Sequence, residues 1–417
     1  MSDPGQLHAF RDRCPEKARI GLNSTMAKMT QSTIDFVLRF EQEYEPNVRK
    51  EGDVFEPLLC SSCFSDHGLR LVCEQVGIVM DAPCPNCGAT NGIKLDRLAA
   101  RLAIQQFFNR GSILRTEYGG APVLVANSKQ SSDVRLPHWS QGDLELITAK
   151  AGWGVFHYGP RLWMVGEVAP LKSLVAQETR SATIDRILNE YPVREIGPDT
   201  FFYRMRRNLA NETCEAEFDS PPKEFCGGGR LDSKNCPVLY GSQDLQVCVH
   251  ECRTTVDDET YMATLVPTKQ LRLLNLTHLL AEEKPVIEFE SLDLAVHMLF
   301  LARQHSYGIS RQIAIAAKER GFDGIIYPSY FSLLRTGARP FDTILGMSVR
   351  RIEQLKGYAA SQVIANLALF GWPVKEGTVK VASINKVIME RAVYDLTYGP
   401  VGFECINVTP DSTASSS

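Results

Sequence analysis

The stretch GFDGIIYPS, residues 321–329, gives the clearest indication of the fold. Its apolar run over residues 324–327 predicts a short buried strand, and Pro328 ends it because proline lacks the N–H that a sheet requires. The preceding residues, 310–320, have the apolar spacing of a helix, with Ser310 as the predicted N-cap and Gly321 as the predicted stop. A helix that leads directly into a buried strand indicates a domain that combines helices with a sheet.

Further strands and helices alternate on the N-terminal side of this stretch. Strands are predicted at residues 201–205, 238–240 and 271–275, and helices at 183–190 and 292–302. This interleaving predicts an α+β domain over residues 195–375.

The remaining sequence is long enough for additional units, since 417 residues exceed one ordinary domain. Four further regions are predicted. Residues 1–52 form an N-terminal arm that includes a helix at 32–45, and residues 53–110 form a cysteine-containing unit that includes a helix at 95–108. Residues 111–194 form an α+β linking segment with β-like runs at 121–125 and 162–166. Residues 376–417 form a C-terminal extension with a disordered tail.

Composition is that of a globular protein, with 44% hydrophobic and 23% charged residues. The net charge of −4 does not indicate nucleic acid or an anionic membrane as a partner. No apolar run approaches the roughly 18 residues needed to span a bilayer. The first residues lack the apolar core of a signal peptide, so a cytoplasmic location is predicted.

Two cysteine pairs have the spacing of a metal site. Cys60 and Cys63 form one C-x-x-C knuckle, Cys84 and Cys87 form another, and residues 64–83 lie between them. Four thiolates in a tetrahedron suit Zn²⁺ and leave no open position, which predicts a structural rather than a catalytic zinc. Such a zinc ribbon either contacts nucleic acid or protein or only stabilises a small N-terminal unit. His67 and Cys73 are spare ligands.

Residues 203–251 combine side chains suited to a dinucleotide. Arginines can bind phosphates, an aromatic ring can stack, and an isolated carboxylate can stabilise positive charge when a glycosidic bond breaks. The glycine run at 226–229 is not the GxGxxG of a Rossmann site. Each feature also has an ordinary interpretation: solvated arginines, a half-exposed helical glutamate, a glycine turn and a serine that caps a turn.

Taken together, the order of these motifs resembles the RES domain, named for its Arg, Glu and Ser, over about residues 200–350. The matching motifs are Arg204 after an aromatic residue, Gly229-Arg230, the strand Val238–Tyr240, Glu251 and the segment Gly321–Ser329. Two positions depart from the family pattern. Leu231 stands where an aromatic residue often follows Gly-Arg, and Asp342 stands in the stretch where the family often has Asn.

The resemblance implies a fold similar to ADP-ribosyltransferases, preceded here by a zinc-ribbon-like and helical N-terminal region. It also implies NAD⁺ as the substrate. RES domains cleave NAD⁺ with phosphate or water as the acceptor, and some transfer ADP-ribose to a protein. They are usually toxins that an antitoxin with an Xre-type DNA-binding region restrains, so a regulatory protein of that type is the implied partner.

The resemblance also implies roles for single residues. Arg204 and Arg230 would hold the diphosphate or the incoming phosphate, and Tyr240 would pack on a ring of NAD⁺. Glu251 would orient the nicotinamide ribose and stabilise positive charge, and Ser329 would hydrogen-bond in the nicotinamide subsite. The catalytic set is thus Arg204, Glu251 and Ser329. Tyr327 joins Arg204, Arg230, Tyr240, Glu251 and Ser329 in the predicted NAD⁺-binding set.

Other interpretations stay open at this point. The domain could be a protein ADP-ribosyltransferase, or the chain could be a non-catalytic zinc-ribbon interaction or nucleic-acid-binding protein. A third interpretation is an antiphage effector in which the N-terminal half senses a trigger. The sequence does not decide between a monomer and a homo-oligomer.

Overall fold

The computed structural model describes residues 54–158, 167–282, 286–338, 343–344 and 347–406. The predictions for residues 1–52, for the β-like run at 162–166, for Asp342 and for the C-terminal tail lie outside these described residues. The chain divides into two compact units. Unit 1 comprises Met1–Phe107, Ala126–Val155 and Tyr398–Ser417, and unit 2 comprises Phe108–Val125 and Phe156–Thr397.

Unit 1 is built from helices α1 (His67–Val76), α2 (Arg97–Ile104) and α3 (His138–Leu146). π-helical turns follow α2 and α3, over Gln105–Arg110 and Ile147–Ala151. Two antiparallel strand pairs join Leu59–Cys60 to Lys94–Leu95 and Val134–Arg135 to Glu404–Cys405.

Three aspartates fix the ends of these helices. The carboxylates of Asp66 and Asp96 accept the backbone N–H groups of Leu69 and Ala99, which are the N-cap bonds of α1 and α2. The buried Asp143 carboxylate of α3 accepts N–H groups from the turn that precedes α1, at 2.7 Å each. Burial raises the pKa of Asp143, although these N–H groups oppose the shift. The cysteine region is thereby joined to α3.

An eight-stranded sheet is the centre of unit 2. Its strands in chain order are β1 (Val193–Ile196), β2 (Phe202–Arg207), β3 (Val238–Ser242), β4 (Thr260–Pro267), β5 (Leu271–Asn275), β6 (Gly324–Pro328), β7 (Ala365–Phe370) and β8 (Val379–Val387). Their spatial order is β8-β4-β2-β3-β7-β6-β5-β1. β5 and β6 run parallel, and the other neighbouring pairs are antiparallel.

Within the described residues of unit 2, seven α-helices accompany the sheet. They are α4 (Ala169–Val175), α5 (Gln177–Glu190), α6 (Leu245–Cys252), α7 (Leu292–Leu301), α8 (Tyr307–Glu319), α9 (Ser332–Thr336) and α10 (Lys356–Ser361). Unit 2 also contains a hairpin of Ile113–Arg115 and Gly120–Pro122, and a short pair of Thr343–Ile344 and Met347–Ser348. Strands Leu124–Asn127 and Gly154–His157 also pair.

The two faces of the sheet have separate cores because successive strand residues point to opposite sides. Ile325 of β6 belongs to the cluster that includes α4, α5, α7 and α8. Its neighbour Ile326 belongs to the cluster on the other face, with Phe202 and Phe218. Strand β6 is therefore buried on both faces, as its continuous apolar sequence predicts.

The predicted α+β class is confirmed, and the start of α8 needs correction. This helix begins at Tyr307 rather than at Ser310, so Ser310 is not an N-cap. The Ser310 hydroxyl is buried within the helix and donates to the carbonyl of Arg230 at 2.8 Å. Gly321, with φ +79°, ends the helical segment as expected. The domain boundaries at 194 and 375 stay predictions, and two elements of unit 2, α5 and β8, lie outside the range 195–375.

Candidate active site

Three side chains from separate elements meet at Glu251, in the last turn of α6. One carboxylate oxygen of Glu251, Oε1, accepts hydrogen bonds from the Ser329 hydroxyl at 2.8 Å and from the Asn366 amide at 2.6 Å. Ser329 follows β6 directly, and Asn366 is the second residue of β7. The antiparallel pairing of β6 with β7 brings both donors to the same end of the sheet.

The two donors are themselves held in place. Ser329 is buried, its backbone N–H donates to the carbonyl of Ile364, and its hydroxyl accepts the N–H of Phe331. Asn366 is also buried, and its Oδ1 has no hydrogen-bond partner among the residues that the structure describes. Glu251 is exposed, and its Oε2 accepts no hydrogen bond within the described part of the chain. One oxygen is thus fixed while the other remains open to a ligand.

Asn366 is not among the site residues predicted from the sequence. A signal was present, because Asn366 is a polar residue within the otherwise apolar strand ANLALF at 365–370. The resemblance implies an Asn near the end of the domain, but the sequence comparison placed Asp342 there. The structure instead brings Asn366 to the carboxylate of Glu251.

Two tyrosines, the buried Tyr327 and the half-buried Tyr240, lie near this cluster. The Tyr327 hydroxyl lies 3.5 Å from the Asn366 amide nitrogen. Burial and the nearby charge of Glu251 raise the pKa of Tyr327, which keeps the phenol protonated. The ring of Tyr240 lies edge-on to that of Tyr327, with 6.5 Å between the centroids. Tyr327 is therefore in the Glu251 cluster, and Tyr240 adjoins it.

The Tyr240 hydroxyl fixes the loop after the glycine run. It accepts the N–H groups of Leu231 and Asp232 at 2.8 and 2.9 Å and donates to the Asp232 carboxylate at 2.9 Å. Burial raises the pKa of Tyr240 well above its usual value. A Cβ on Gly229 would lie 2.8 Å from the Tyr240 hydroxyl oxygen and would also meet Asp232 Oδ1, so a larger residue here would displace this hydrogen-bonded pair.

Tyr240→Phe is expected to destabilise unit 2. Removal of the hydroxyl leaves two N–H groups and the buried Asp232 carboxylate without this partner, which costs about 1–3 kcal/mol of unfolding free energy. Urea denaturation measures the change. Tyr394→Phe, at an exposed tyrosine in the same unit, is the matched control and should leave the midpoint unchanged. Equal midpoints for both variants would contradict the assigned role of the hydroxyl.

The guanidinium of Arg204, a residue of β2, binds backbone carbonyls of neighbouring segments. This group is buried and donates to the carbonyls of Tyr240 at 2.8 Å and Asp219 at 2.9 Å. Burial and the charge of Arg206 lower the pKa of Arg204 to about 10, so it stays protonated at neutral pH. Its Nε has no partner among the described residues. The observed contacts are with backbone oxygens, and the predicted role in phosphate binding stays a prediction.

Arg230 binds the C-terminal end of α7. It donates to the carbonyls of Leu299 at 3.2 Å and Ala302 at 2.8 Å, where cations are favoured by the helix dipole. Its guanidinium also lies 4.8 Å from the ring centroid of Tyr307 and 5.6 Å from that of Phe300. Arg230 is buried, so its positive charge is already surrounded by carbonyls and rings. Its predicted phosphate contact likewise stays a prediction.

The four predicted zinc ligands lie together in unit 1. The sulfur of Cys60 is 3.8 Å from that of Cys63 and 3.6 Å from that of Cys87, and the Cys63 and Cys84 sulfurs are 3.5 Å apart. All four sulfurs lie within 4.8 Å of one another and can hold a metal ion. Sulfurs at about 2.3 Å from one tetrahedral ion are about 3.8 Å apart, so the observed distances fit such a site.

The surroundings of the cluster favour the thiolate form of Cys84. Burial raises the pKa of Cys84, but hydrogen bonds from the backbone N–H groups of Cys87 and Asn86 and from the thiols of Cys63 and Cys60 together outweigh it and lower that pKa to about 7. The ammonium of the fully buried Lys94 donates to the carbonyls of Ala89, Thr90 and Gly92. Lys94 thereby fixes the backbone that follows the second knuckle.

Comparison with known proteins identifies part of unit 2. Residues 202–337 match the model of the RES domain family. The chain contains a RES domain. The matched range includes all six predicted NAD⁺-binding residues, whereas Asn366 lies C-terminal to it. The resemblance that the Arg, Glu and Ser motifs indicated is confirmed at the level of the family.

No curated protein matches the chain. A solved structure of the M. tuberculosis MbcT-MbcA toxin-antitoxin complex is similar, with 14% sequence identity and a TM-score of 0.28 over 49% of this chain and 91% of that chain. Among the described residues, no helix is both long enough and apolar enough to cross a membrane.

Proposed function

We propose that the RES domain cleaves the bond between nicotinamide and ribose in NAD⁺. The observation that carries the proposal is the difference between the two carboxylate oxygens of Glu251. Ser329 and Asn366 hold its Oε1, whereas its Oε2 has no partner within the described chain. Cleavage of a glycosidic bond passes through an oxocarbenium-like state, and a fixed anion near the ribose stabilises that positive charge.

The proposed reaction needs only a leaving group and an oxygen acceptor. The bond from the anomeric carbon to the nicotinamide nitrogen breaks, and its electron pair neutralises the pyridinium ring. An oxygen of phosphate or water then bonds to the same carbon, and an attacking water also loses a proton to solvent. Glu251 stabilises the ribose while charge develops, and its Ser329 and Asn366 bonds keep its Oε1 from rotating away.

Product analysis distinguishes the acceptors. Purified protein is incubated with NAD⁺, with and without phosphate, and the products are identified by mass spectrometry and phosphorus NMR. Cleavage that requires phosphate, with ADP-ribose phosphate as product, identifies a phosphorylase. Cleavage in either buffer, with ADP-ribose as product, identifies a glycohydrolase. A labelled protein band after incubation with tagged NAD⁺ would instead favour a protein ADP-ribosyltransferase.

Asn366→Ala is expected to lower the rate of NAD⁺ cleavage by about 10–100-fold. The substitution removes the shorter of the two bonds to Glu251, so the carboxylate loses part of its fixed orientation, while Ser329 still donates. Initial rates at saturating NAD⁺ measure the effect. Asn385→Ala, at an exposed asparagine of β8 in the same sheet, is the control. A rate equal to that of the control would contradict the role of Asn366.

The RES domain also suggests a toxin that a partner restrains. An Xre-type antitoxin or another regulatory protein is the partner that the sequence resemblance implies. Growth arrest on expression of the chain, relieved by a co-expressed partner that also inhibits NAD⁺ cleavage, would support this role. Growth arrest that persists in a Glu251→Gln variant would count against NAD⁺ cleavage as its cause.

For unit 1 we propose a structural Zn²⁺ bound by Cys60, Cys63, Cys84 and Cys87. The sulfur separations of 3.5–3.8 Å and the all-cysteine donor set support zinc, which favours four thiolates in a closed tetrahedron. Four protein ligands leave no position for a substrate. Bound zinc would therefore stabilise the fold of unit 1 and take no part in the chemistry of the RES domain.

A further inference from the structure

A cavity of about 410 Å³ lies within unit 2, between the hairpin of residues 113–122 and the end of α7. Its walls include Arg115 and Tyr118 from the hairpin, Arg303 and His305 from the turn after α7, and Tyr330. The volume is typical of small-molecule sites, which span roughly 300–1,000 Å³. The hairpin lies outside the family match at residues 202–337, so the chain adds this wall to its RES domain.

The charges of the cavity suit an anion. Arg115 and Arg303 are exposed, and neither lies within 4.0 Å of a carboxylate oxygen in the part of the chain that the structure describes. The described lining contains one carboxylate, that of Glu117, whereas two arginines and His305 also line the cavity. In contrast, Arg204 and Arg230 direct their guanidinium groups at backbone carbonyls. The lining of the cavity therefore includes two arginines that form no ion pair within the described residues.

The turn of the hairpin also presents a polar group without a partner. The backbone N–H of Thr116 donates to the carbonyl of Gly119, which closes the turn. The Thr116 hydroxyl is buried and has no hydrogen-bond partner among the described residues. A buried hydroxyl without a partner is uncommon, and Thr116 is one of the residues that line the cavity.

Aromatic rings in the walls suit a planar base. Tyr118 lies edge-on to His305, with 4.8 Å between the centroids, and Tyr330 lines the same cavity. Rings of this kind stack on heteroaromatic ligands. An anion together with a base is the composition of an adenosine phosphate.

Residues that line the cavity are sequence neighbours of residues in the Glu251 cluster. Tyr330 follows Ser329, whose hydroxyl donates to Glu251. On the opposite wall, the carbonyl of Ala302 accepts from Arg230, and Phe300 lies 5.5 Å from the ring of Tyr327. A ligand could thus extend from the carboxylate of Glu251 into the cavity.

We infer that this cavity binds the adenosine diphosphate end of the dinucleotide, with Arg115 and Arg303 on the phosphates. The inference rests on the proposed function, because it assumes that the nicotinamide ribose lies at Glu251. The accessory hairpin is then a substrate-binding element, and the positive charge at the diphosphate comes from outside the Arg, Glu and Ser motifs.

ADP itself tests the assignment, since it contains no nicotinamide and is not cleaved. Calorimetric titration of the full chain with ADP should show binding that weakens about tenfold in Arg115→Ala and in Arg303→Ala. Arg115→Lys retains the charge and should recover part of the loss. Arg391→Ala, at an exposed arginine of the same unit outside the cavity, is the control and should bind as the wild type does.

The outcomes separate the two proposals. Unchanged ADP affinity in both alanine variants, or no ADP binding to the wild type at millimolar concentration, overturns the assignment of the cavity even if NAD⁺ is cleaved. Weakened ADP binding together with an absence of NAD⁺ cleavage supports the cavity and contradicts only the proposed reaction. Where NAD⁺ is cleaved, its KM should rise about tenfold in the same variants.

Discussion

Glu251→Gln is expected to lower the rate of NAD⁺ cleavage by about 100–1,000-fold, the loss typical when one electrostatic stabiliser of a transition state is removed. Glutamine has nearly the same shape, and its amide oxygen can still accept from Ser329 and Asn366. What disappears is the negative charge at the position where the ribose becomes positive. Initial rates at saturating NAD⁺, followed by nicotinamide release, measure the loss.

The fold should survive this substitution. Glu251 is exposed, and its carboxylate makes no ion pair within the described residues, so the unfolding midpoint should stay close to that of the wild type. Glu178→Gln, at an exposed glutamate in the first turn of α5, removes the same charge elsewhere in unit 2 and should leave the rate unchanged. A Glu251→Gln variant that retains a rate within about threefold of the wild type would refute the catalytic assignment.

Glu251 and Ser329, which both belong to the family motifs in the sequence, form a hydrogen bond in the structure. The sequence alone did not predict this contact. The two residues are joined by the packing of α6 beside β2 and β3 and by the position of Ser329 at the end of β6. Asn366 reaches the cluster through the register of β7 with β6, in which Tyr327 pairs with Asn366. Register depends on the whole sheet, so the local pattern around Asn366 shows only a polar residue in an apolar strand.

The arginines show a different limit of sequence reasoning. The residue type indicates a strong cation with five donors, but it does not indicate whether those donors face a ligand or the main chain. Arg204 donates to the carbonyls of Tyr240 and Asp219, and Arg230 donates to the end of α7. Arg311, which the sequence analysis did not select, likewise binds the carbonyls of Gly227 and Gly229. These three arginines therefore organise the loops around the site through backbone contacts.

Secondary structure followed the sequence more closely where apolar periodicity was strong. Strand β5 has the predicted bounds of 271–275, and helix α7 ends one residue before the predicted 302. Helix α8 differs because Ser310 is a plausible N-cap by residue type but is buried against the Arg230 carbonyl by tertiary packing. The free energy that a residue contributes by its preference for a helix end is small compared with that of such packing. The helix therefore begins at Tyr307 and not at Ser310.

Removal of the metal is expected to unfold the cysteine region of unit 1. Structural zinc binds zinc-finger peptides with about 10–16 kcal/mol of free energy, which is folding free energy there, and two of the four thiols, Cys60 and Cys84, are buried. Cys84→Ser should therefore abolish stoichiometric zinc, measured by elemental analysis, and make the region near residues 58–95 sensitive to protease. Cys405→Ser is the matched control, because Cys405 is a half-buried cysteine of the same unit outside the cluster.

The Cys84→Ser variant also tests whether NAD⁺ cleavage requires the zinc site. Four cysteine ligands close the coordination sphere, so zinc loss should not remove any group from Glu251, Ser329 or Asn366. NAD⁺ cleavage per folded RES domain should then persist in Cys84→Ser under conditions in which unit 2 remains folded. Zinc-free wild-type protein with full protease resistance would contradict the structural metal, since the buried thiols would then pack without an ion.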